Sequence, residues 1–265
     1  MNYWHAFWLA LIQGLTEYLP ISSTAHLVLV PPLLGWRDPG LFFDVATNTG
    51  TLLAIIIYLR REIVALLGAW GGSLIGRGLD RESRLAWAVL WGTVPVAVAG
   101  LVFAHAVETW LRSPIIIALA SIGFGALLWW ADRRASGRRS EYDVRAWDVV
   151  VIGVAQALAL IPGTSRSGIT MTAGLAQGLG RTSAARFSFL LAIPVSVLAG
   201  AFDALHLLTT PQAVPWPAFG FAALVSFVAG YAVIDLFLKF VERIGYAPFV
   251  VYRVLLGLFL LAYFL

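Results

Sequence analysis

Two short polar segments interrupt otherwise apolar stretches of the chain, and the first contains residues that can do chemistry. It places Gln13 and Glu17 four residues apart, reaches Pro20, and continues with hydroxyl residues up to His26. Residues four apart share a helix face, so the glutamine and the carboxylate point to the same side. A carboxylate, a hydroxyl and an imidazole brought together are typical of proton transfer or of an activated nucleophile. We therefore predict a reactive site that contains Glu17, Ser23 and His26.

A simpler interpretation of the same segment makes its hydroxyl residues helix caps. Pro20 ends the first helix, and Ser22, Ser23 and Thr24 follow where side chains commonly cap the next helix. His26 would then be a core histidine. A buried, unpaired carboxylate is costly, which favours the reactive interpretation for Glu17 together with His26.

The second polar segment, Pro162-Gly-Thr-Ser-Arg-Ser-Gly168, predicts an anion-binding turn. Glycines let successive backbone N–H groups converge, the hydroxyls add donors, and a following helix begins with its positive dipole end. Arg166 lies between two apolar helices and needs an anionic partner, and its planar fork suits phosphate oxygens. The alternative partner is Glu17. Both interactions can hold in turn, with Glu17 occupying Arg166 when substrate is absent.

Composition identifies an integral membrane protein. Of 265 residues, 60% are hydrophobic and only 12% are charged, and the mean hydropathy is +0.85. Glu17 and His26 lie where a signal peptide would be apolar, so we expect the first segment to belong to the mature protein. The absence of cysteine excludes thiolate nucleophiles and cysteine-ligated metals. The arginines lie in short connections between apolar segments, so they indicate topology rather than a nucleic-acid surface.

The lengths of the apolar stretches predict an all-α, polytopic fold with six transmembrane helices. About 20 apolar residues are needed to cross the hydrocarbon core. The predicted spans are 41–59, 85–106, 114–131, 184–205, 216–238 and 248–265. Two further regions, 4–36 and 147–179, are too polar in the middle for a clean span and too long for one crossing. Each predicts a re-entrant helical hairpin, with its break at 19–24 or at 162–167, lining a protein-enclosed cavity.

The basic residues predict the orientation of these spans. They form four clusters, at 60–84, 133–145, 181–186 and 239–243, and all four fall on one side if the two hairpins return to the side they entered from. That side is expected to be cytoplasmic, so both termini face the exterior. Repeats 1–131 and 147–265, joined by a cytoplasmic loop at 132–146, then form a single domain over 1–265. Each repeat has a hairpin and three crossings, which inverts one copy relative to the other, as in transporters.

With these residues in place, the chain resembles the undecaprenyl-diphosphate phosphatase family of bacterial membrane enzymes, which is linked to bacitracin resistance. The first family motif matches Gln13, Glu17, Pro20, Ser22, Ser23, Thr24 and His26, with Ala25 in place of a glycine. The second matches Pro162, Gly163, Ser165, Arg166, Ser167 and Thr170 in full. The resemblance covers essentially the whole chain. One departure is Asn48-Thr49-Gly50, where many members have His-Leu-Gly, so no role of that histidine transfers to this chain.

The resemblance implies hydrolysis of undecaprenyl diphosphate to undecaprenyl phosphate and inorganic phosphate, which recycles the lipid carrier of peptidoglycan synthesis and confers bacitracin resistance. It places the protein in the bacterial cytoplasmic (inner) membrane, and we expect the active site to face the exterior. The expected partners are a polyprenyl diphosphate and the bilayer but no nucleic acid, and a homodimer is left open. A polyprenyl-phosphate transporter built on the same inverted repeat is the alternative. A lipid phosphatase of the phosphatidic-acid type is disfavoured because its motifs are absent.

The two segments suit that reaction in different ways. Catalytic roles are expected for Glu17, Ser23, His26 and Arg166. Substrate-binding roles are expected for Gln13, Thr24, Gly163, Thr164, Ser165, Ser167, Gly168 and Thr170. The nucleophile can be Ser23 with His26 as general base or acid, His26 itself, or an activated water. Glu17 would orient the histidine or bind a divalent cation, Mg²⁺ or Ca²⁺, and no organic cofactor is expected.

Overall fold

A computed structural model describes residues 2–37, 40–111, 113–135, 137–209 and 215–264. Those residues form α-helices with short connections. The α-helices are α1 (Tyr3–Thr16), α2 (Ser23–Leu34), α3 (Leu41–Tyr58), α4 (Arg60–Leu74), α5 (Arg81–Trp110), α6 (Pro114–Arg134), α7 (Ala146–Ala157), α8 (Arg166–Ala176), α9 (Arg181–Thr209), α10 (Trp216–Ile244) and α11 (Ala247–Phe264). Two 3₁₀ turns, Glu141–Asp143 and Leu158–Leu160, lie on either side of α7.

The all-α membrane fold predicted from the sequence is confirmed. Within the described part of the chain, six helices are long and apolar enough to cross a bilayer. They comprise Leu41–Tyr58, Arg81–Phe103, Pro114–Arg134, Arg181–Leu207, Trp216–Ile244 and Ala247–Phe264. Each matches one of the six predicted spans, with ends that differ by a few residues. The last predicted span reached Leu265, which lies outside the described residues.

The two expected helix breaks are present, and their backbones have the same shape. Between α1 and α2, Ser22 has φ 70° and ψ 93°, and between α7 and α8, Ser165 has φ 69° and ψ 112°. They are the two non-glycine residues with positive φ among those described, a conformation that is strained for a side chain with a Cβ. Each hydroxyl oxygen accepts the backbone N–H three residues on, at Ala25 and Gly168, and so caps the next helix.

Helix α4 was not predicted from the sequence. Its arginines were assigned to a connecting loop, but Arg60–Leu74 is helical and only 15 residues long. Leu66 is buried, and Ile63 and Trp70 pack against the hydrophobic core, while Arg60 and Arg61 are exposed. A helix of this length is too short to be found as a span. Its charges concealed the apolar stripe that folds it onto the bundle.

Helix α10 holds α1 and α3 on neighbouring faces, and this packing brings the first break into the bundle. Gly50 on α3 lies so close to α10 that an added Cβ would fall 2.2 Å from the Ala223 carbonyl oxygen. Small residues of this kind allow membrane helices to approach closely. Helices α5 and α7, α6 and α11, α6 and α8, and α3 and α9 also pack directly against each other.

The basic clusters meet at one end of the bundle, where carboxylates neutralise them. Arg186 on α9 contacts Glu62 of α4 at 2.5 Å and Glu141 at 2.6 Å. Arg181 contacts Asp132 of α6 at 2.6 Å. Outside the spans, hydrogen bonds from Ser140 lower the pKa of the nearby Asp143 carboxyl. Residues far apart in sequence therefore lie at the same end of the bundle.

Candidate active site

A continuous hydrogen-bond chain links the two helix breaks. The Ser23 hydroxyl donates to Glu17 Oε2 at 2.8 Å, and Arg166 Nη2 donates to Glu17 Oε1 at 2.8 Å. The side chains of Glu17 and Arg166 are 19% and 13% exposed, so both charges are largely removed from solvent. The alternative weighed from the sequence, a Glu17–Arg166 ion pair, is therefore present. Each charge compensates the other inside the bundle.

Two amide side chains support this chain of contacts. Gln13 Nε2 donates to Glu17 Oε2 at 3.0 Å and to Asn48 Oδ1 at 2.9 Å. Glu17 Oε2 accepts hydrogen bonds from both Gln13 and Ser23. The amide of Gln13 therefore helps to orient this oxygen toward the serine hydroxyl. Asn48 belongs to α3, and Gln13 thus joins the first break to a membrane-spanning helix. Asn48 therefore makes an interhelical hydrogen bond directly beside the Glu17 carboxylate.

A cavity of about 880 Å³ opens beside these groups. Its polar lining includes Gln13, Glu17, Ser22, Ser23, Thr24, Asp44, Asn48, Gly163, Ser165, Arg166 and Asp203. Residues from both breaks therefore face one space, as the sequence predicted. The hydroxyl of Ser23 and the guanidinium of Arg166 both contact Glu17, so a hydroxyl and two charged groups lie together at the cavity wall.

His26 does not line this cavity. Its Nδ1 lies 2.7 Å from the Ser22 carbonyl oxygen, which can only accept, so Nδ1 carries the proton. Its Nε2 then accepts from the hydroxyl of Tyr252 on α11, at 2.5 Å, with the two rings stacked at an interplanar angle of 5°. Both ring nitrogens are engaged away from Ser23. The expected contact between His26, as general base or acid, and Ser23 is absent, because Ser22 and Tyr252 of α11 occupy the two ring nitrogens.

The second break presents fewer groups to the cavity than the sequence suggested. Gly163, Ser165 and Arg166 line it. Four other predicted phosphate ligands, Thr164, Ser167, Gly168 and Thr170, are buried and are not among its lining residues. The Ser167 hydroxyl donates to the Leu19 carbonyl at 2.9 Å, and that of Thr170 lies 2.7 Å from Ser188 Oγ. The Gly168 N–H is taken by Ser165 Oγ. These residues hold the turn in place, and direct phosphate contact by them stays a prediction.

Arg253 of α11 fastens the two breaks together. It is fully buried, and its guanidinium donates to the carbonyl oxygens of Gly163 at 2.9 Å and of Pro20 at 3.4 Å. It also donates to the carbonyls of Ser121 and Ala120 on α6. Among the described residues, the Arg253 guanidinium is therefore compensated by peptide carbonyls and not by a carboxylate. The two breaks are held at a fixed separation by one cation.

Gly163 is the residue at which the second break needs glycine. Its φ is +93°, and a Cβ there would fall 2.4 Å from the carbonyl oxygen of Ile117 on α6. Only a residue without a side chain permits both this conformation and this approach. The close approach also places the Gly163 carbonyl where Arg253 reaches it.

Tyr252 and Arg253 were not assigned to the site from the sequence. Both lie in the last predicted span, 248–265, where Tyr252 resembles an ordinary aromatic residue of a membrane helix. The one available signal was an arginine within a stretch of apolar residues, which is rare at membrane depth and usually functional or paired. Its partners are carbonyls, which no side-chain pattern reveals.

Comparison with known proteins agrees with these motifs. The family model described as bacitracin resistance protein BacA matches residues 6–259. The chain is 52% identical over 259 residues to "Undecaprenyl-diphosphatase 2" of Stutzerimonas stutzeri (strain A1501), covering 97% of this chain and 96% of the relative. It is 54% identical over 257 residues to "Undecaprenyl-diphosphatase" of Nitrosococcus oceani, covering 97% of both chains. The chain therefore belongs to the bacitracin resistance protein BacA family.

Proposed function

We propose that this protein hydrolyses undecaprenyl diphosphate to undecaprenyl phosphate and inorganic phosphate. The observation that carries the proposal is the Ser23–Glu17–Arg166 chain at the wall of one cavity, with both contacts at 2.8 Å. It combines a nucleophile, a base and a cation that suits phosphate oxygens. The relatives that share about half of the sequence carry the name of this activity. The reaction recycles the lipid carrier of cell-wall synthesis. Membership of the bacitracin resistance protein BacA family supports a role in resistance to bacitracin.

The geometry supports Ser23 as the nucleophile and Glu17 as its base. Ser23 Oγ attacks the terminal phosphorus, its proton passes to Glu17 Oε2, and the anhydride P–O bond breaks. The polyprenyl phosphate leaves with the bonding electron pair, and the phosphoryl group stays on Ser23. Water then attacks this phosphoserine, inorganic phosphate leaves, and Glu17 returns the proton to the Ser23 oxygen. Arg166 neutralises charge on the transferred group when the diphosphate competes with Glu17 for its guanidinium.

His26 acts in this scheme through the backbone of the Ser22 turn. Its Nδ1–H donates to the Ser22 carbonyl, and Tyr252 fixes the ring from the other side. The serine next to that turn is the nucleophile, so the imidazole positions Ser23 without touching it. A phosphohistidine would require His26 to leave both partners and rotate into the cavity. The structure therefore favours Ser23 over His26 as the attacking group.

Two side chains close to Ser23, Gln13 and Glu17, have oxygen atoms that could serve as ligands of a divalent cation. Gln13 Oε1 is buried without a hydrogen-bond partner among the described residues, while Nε2 of the same amide donates to the Glu17 carboxylate. The same part of the chain contains no group of three or more His, Asp or Glu side chains that could hold a metal ion. Glu17 and Gln13 would hold Mg²⁺ or Ca²⁺ only together with diphosphate oxygens. Such a cation would supply positive charge to the phosphoryl group.

The two breaks belong, in this proposal, to re-entrant hairpins of an inverted repeat that forms one domain. Ser22 lies nine positions after Gln13, as Ser165 does after Gln156, and the two serines share an unusual backbone conformation. The helix contacts correspond as well, since α1 packs on α10 and α7 packs on α5. These matches support a duplication with opposite orientation. The bundle end with the basic clusters would face the cytoplasm, and the cavity and both termini would face the exterior of the inner membrane.

Phosphate release by purified protein in detergent tests the proposed activity. Wild-type protein given farnesyl or undecaprenyl diphosphate should release inorganic phosphate, and Arg166→Ala should not. Arg243→Ala is the control, because Arg243 is exposed at the far end of α10. The absence of phosphate release, together with movement of polyprenyl phosphate across vesicle membranes, would favour the transporter alternative.

A further inference from the structure

Two cavities meet at the Glu17–Arg166 ion pair. The larger is the site cavity described above. The smaller, of about 200 Å³, lies on the other side of the pair and also includes Asn48 in its lining. Ala159 and Leu160 contribute to both. A molecule whose charged end lies at Arg166 therefore has two directions in which its remainder can extend.

The smaller cavity is bounded by small or apolar side chains of two membrane-spanning helices. Val96 comes from α5, and Val195, Ala199 and Gly200 come from α9. The two helices are in close contact about one helical turn before Val96 and Val195, where a Cβ on Gly92 would lie 2.9 Å from Leu191 Cδ2.

This cavity is open on its outer side. A Cβ on Gly200 would meet nothing within 4 Å, and Ala199 is exposed at the surface of the bundle. The neighbouring Val197 and Leu198 are 47% and 52% exposed on the same stretch of α9. In a membrane-spanning helix, apolar side chains on such a surface face lipid. The cavity thus connects the ion pair to the hydrocarbon of the bilayer.

The larger cavity has a more mixed lining. Gln13, Ser23 and Thr24 contribute polar groups to it, beside apolar residues such as Leu27 and Val28. A polyprenyl diphosphate has a highly charged head and a tail with no hydrogen-bonding groups. Filling this space with an isoprenoid tail would remove water from its polar side chains. The tail is therefore better placed in the smaller cavity, and water and released phosphate in the larger one.

We propose that the smaller cavity is the subsite for the first isoprene units of the substrate, and that the tail leaves between α5 and α9 into the bilayer. This inference rests on the proposed function. It assigns Val96, Val195, Ala199 and Gly200 to tail recognition. It also explains why the ion pair lies where two cavities meet, because the diphosphate must lie between an aqueous space and a lipid-facing one.

A matched pair of substitutions tests the subsite. Ala199→Phe fills the cavity, whereas Ala201→Phe makes the same change at an exposed position of α9 that does not line it. With farnesyl diphosphate, Ala199→Phe should raise KM roughly tenfold or more while kcat is retained, because it excludes the tail and leaves the reacting groups in place. Ala201→Phe should leave both parameters unchanged. Equal KM values for the two variants would overturn the inference.

A photolabelling experiment on wild-type protein makes the test independent of how the variants fold. Farnesyl diphosphate carrying a diazirine on its first isoprene unit should label the 195–200 segment of α9 or Val96 of α5. Labelling of α2 within 27–36, at the wall of the larger cavity, would place the tail there and refute the subsite. Phosphate release by the wild type is measured in the same sample. Release with the wrong labelling pattern rejects the subsite alone, and no release rejects the proposed function.

Discussion

At the scale of single residues, Glu17 is the centre of the site. Its two carboxylate oxygens accept from three side chains, Ser23, Gln13 and Arg166. One oxygen is committed to the serine and the glutamine, and the other to the arginine. The carboxylate is therefore held within reach of the serine proton while its other partners orient it.

Replacing either member of the Ser23–Glu17 pair should nearly abolish turnover. We expect Ser23→Ala and Glu17→Gln each to lower kcat by at least about a hundredfold, because the first removes the nucleophile and the second its base. The measurement is phosphate release from farnesyl diphosphate. Arg243→Ala, at an exposed position at the far end of α10, should retain full activity. A Ser23→Ala variant that still forms a phosphoenzyme would contradict this assignment.

His26 should behave as a positioning residue. His26→Ala should lower kcat and yet still give an acid-stable phosphoserine, because the Ser22 turn loses support but Ser23 remains. Tyr252→Phe removes one hydrogen bond to the ring, worth about 1 kcal/mol, and should cost only a few-fold in kcat. Mass spectrometry of the quenched enzyme distinguishes the possibilities, since a phosphate found on His26 would reverse the roles.

Removal of divalent cations should slow the reaction if Glu17 and Gln13 share a metal with the diphosphate. Treatment with EDTA is expected to decrease phosphate release, and added Mg²⁺ or Ca²⁺ to restore it. Gln13→Ala should raise the concentration of cation needed for half-maximal activity, because it removes the buried amide oxygen. Full activity of chelated protein would show that Arg166 alone supplies the positive charge.

At the scale of helices and breaks, the sequence predicts much of the arrangement. Apolar runs of about 20 residues determine a membrane span almost by themselves, so the six spans were found. Pro20 and Pro162 marked the breaks, and Glu17, the alternative partner considered for Arg166, forms an ion pair with it. The direction of His26 was not predictable, because its partner Tyr252 lies 226 residues away in sequence. Arg253 likewise binds carbonyls whose positions exist only in the folded chain.

The arginine between the two breaks should be essential for stability. Arg253→Met would leave the carbonyls of Pro20 and Gly163 buried without this donor, and each such loss costs roughly 1–3 kcal/mol. We expect a lower melting temperature in detergent together with reduced kcat, because the breaks lose their fixed separation. Arg243→Met, the same change at an exposed site, is the control. Wild-type melting of the Arg253→Met protein would contradict the bridging role.

At the scale of the whole molecule, the ion pairs at one end support a common cytoplasmic side for the basic clusters. The chain contains no cysteine, so single cysteine variants report position cleanly. A cysteine at the exposed Arg138 should react in intact cells only with membrane-permeant thiol reagents. One at Gln212, which follows α9 and lies outside the described residues, should react with impermeant ones. The reverse pattern would overturn the orientation of the bundle.

The bridge made by Arg253 also limits how the protein can move. Its carbonyl partners come from both breaks and from α6, so they belong to different parts of the proposed repeat. A rocking motion of one half against the other would withdraw the acceptors and leave a guanidinium unpaired at membrane depth. The halves are therefore expected to remain locked during turnover. Substrate entry and product release would then rely on the two fixed openings beside Glu17, and catalysis would require only side-chain movement.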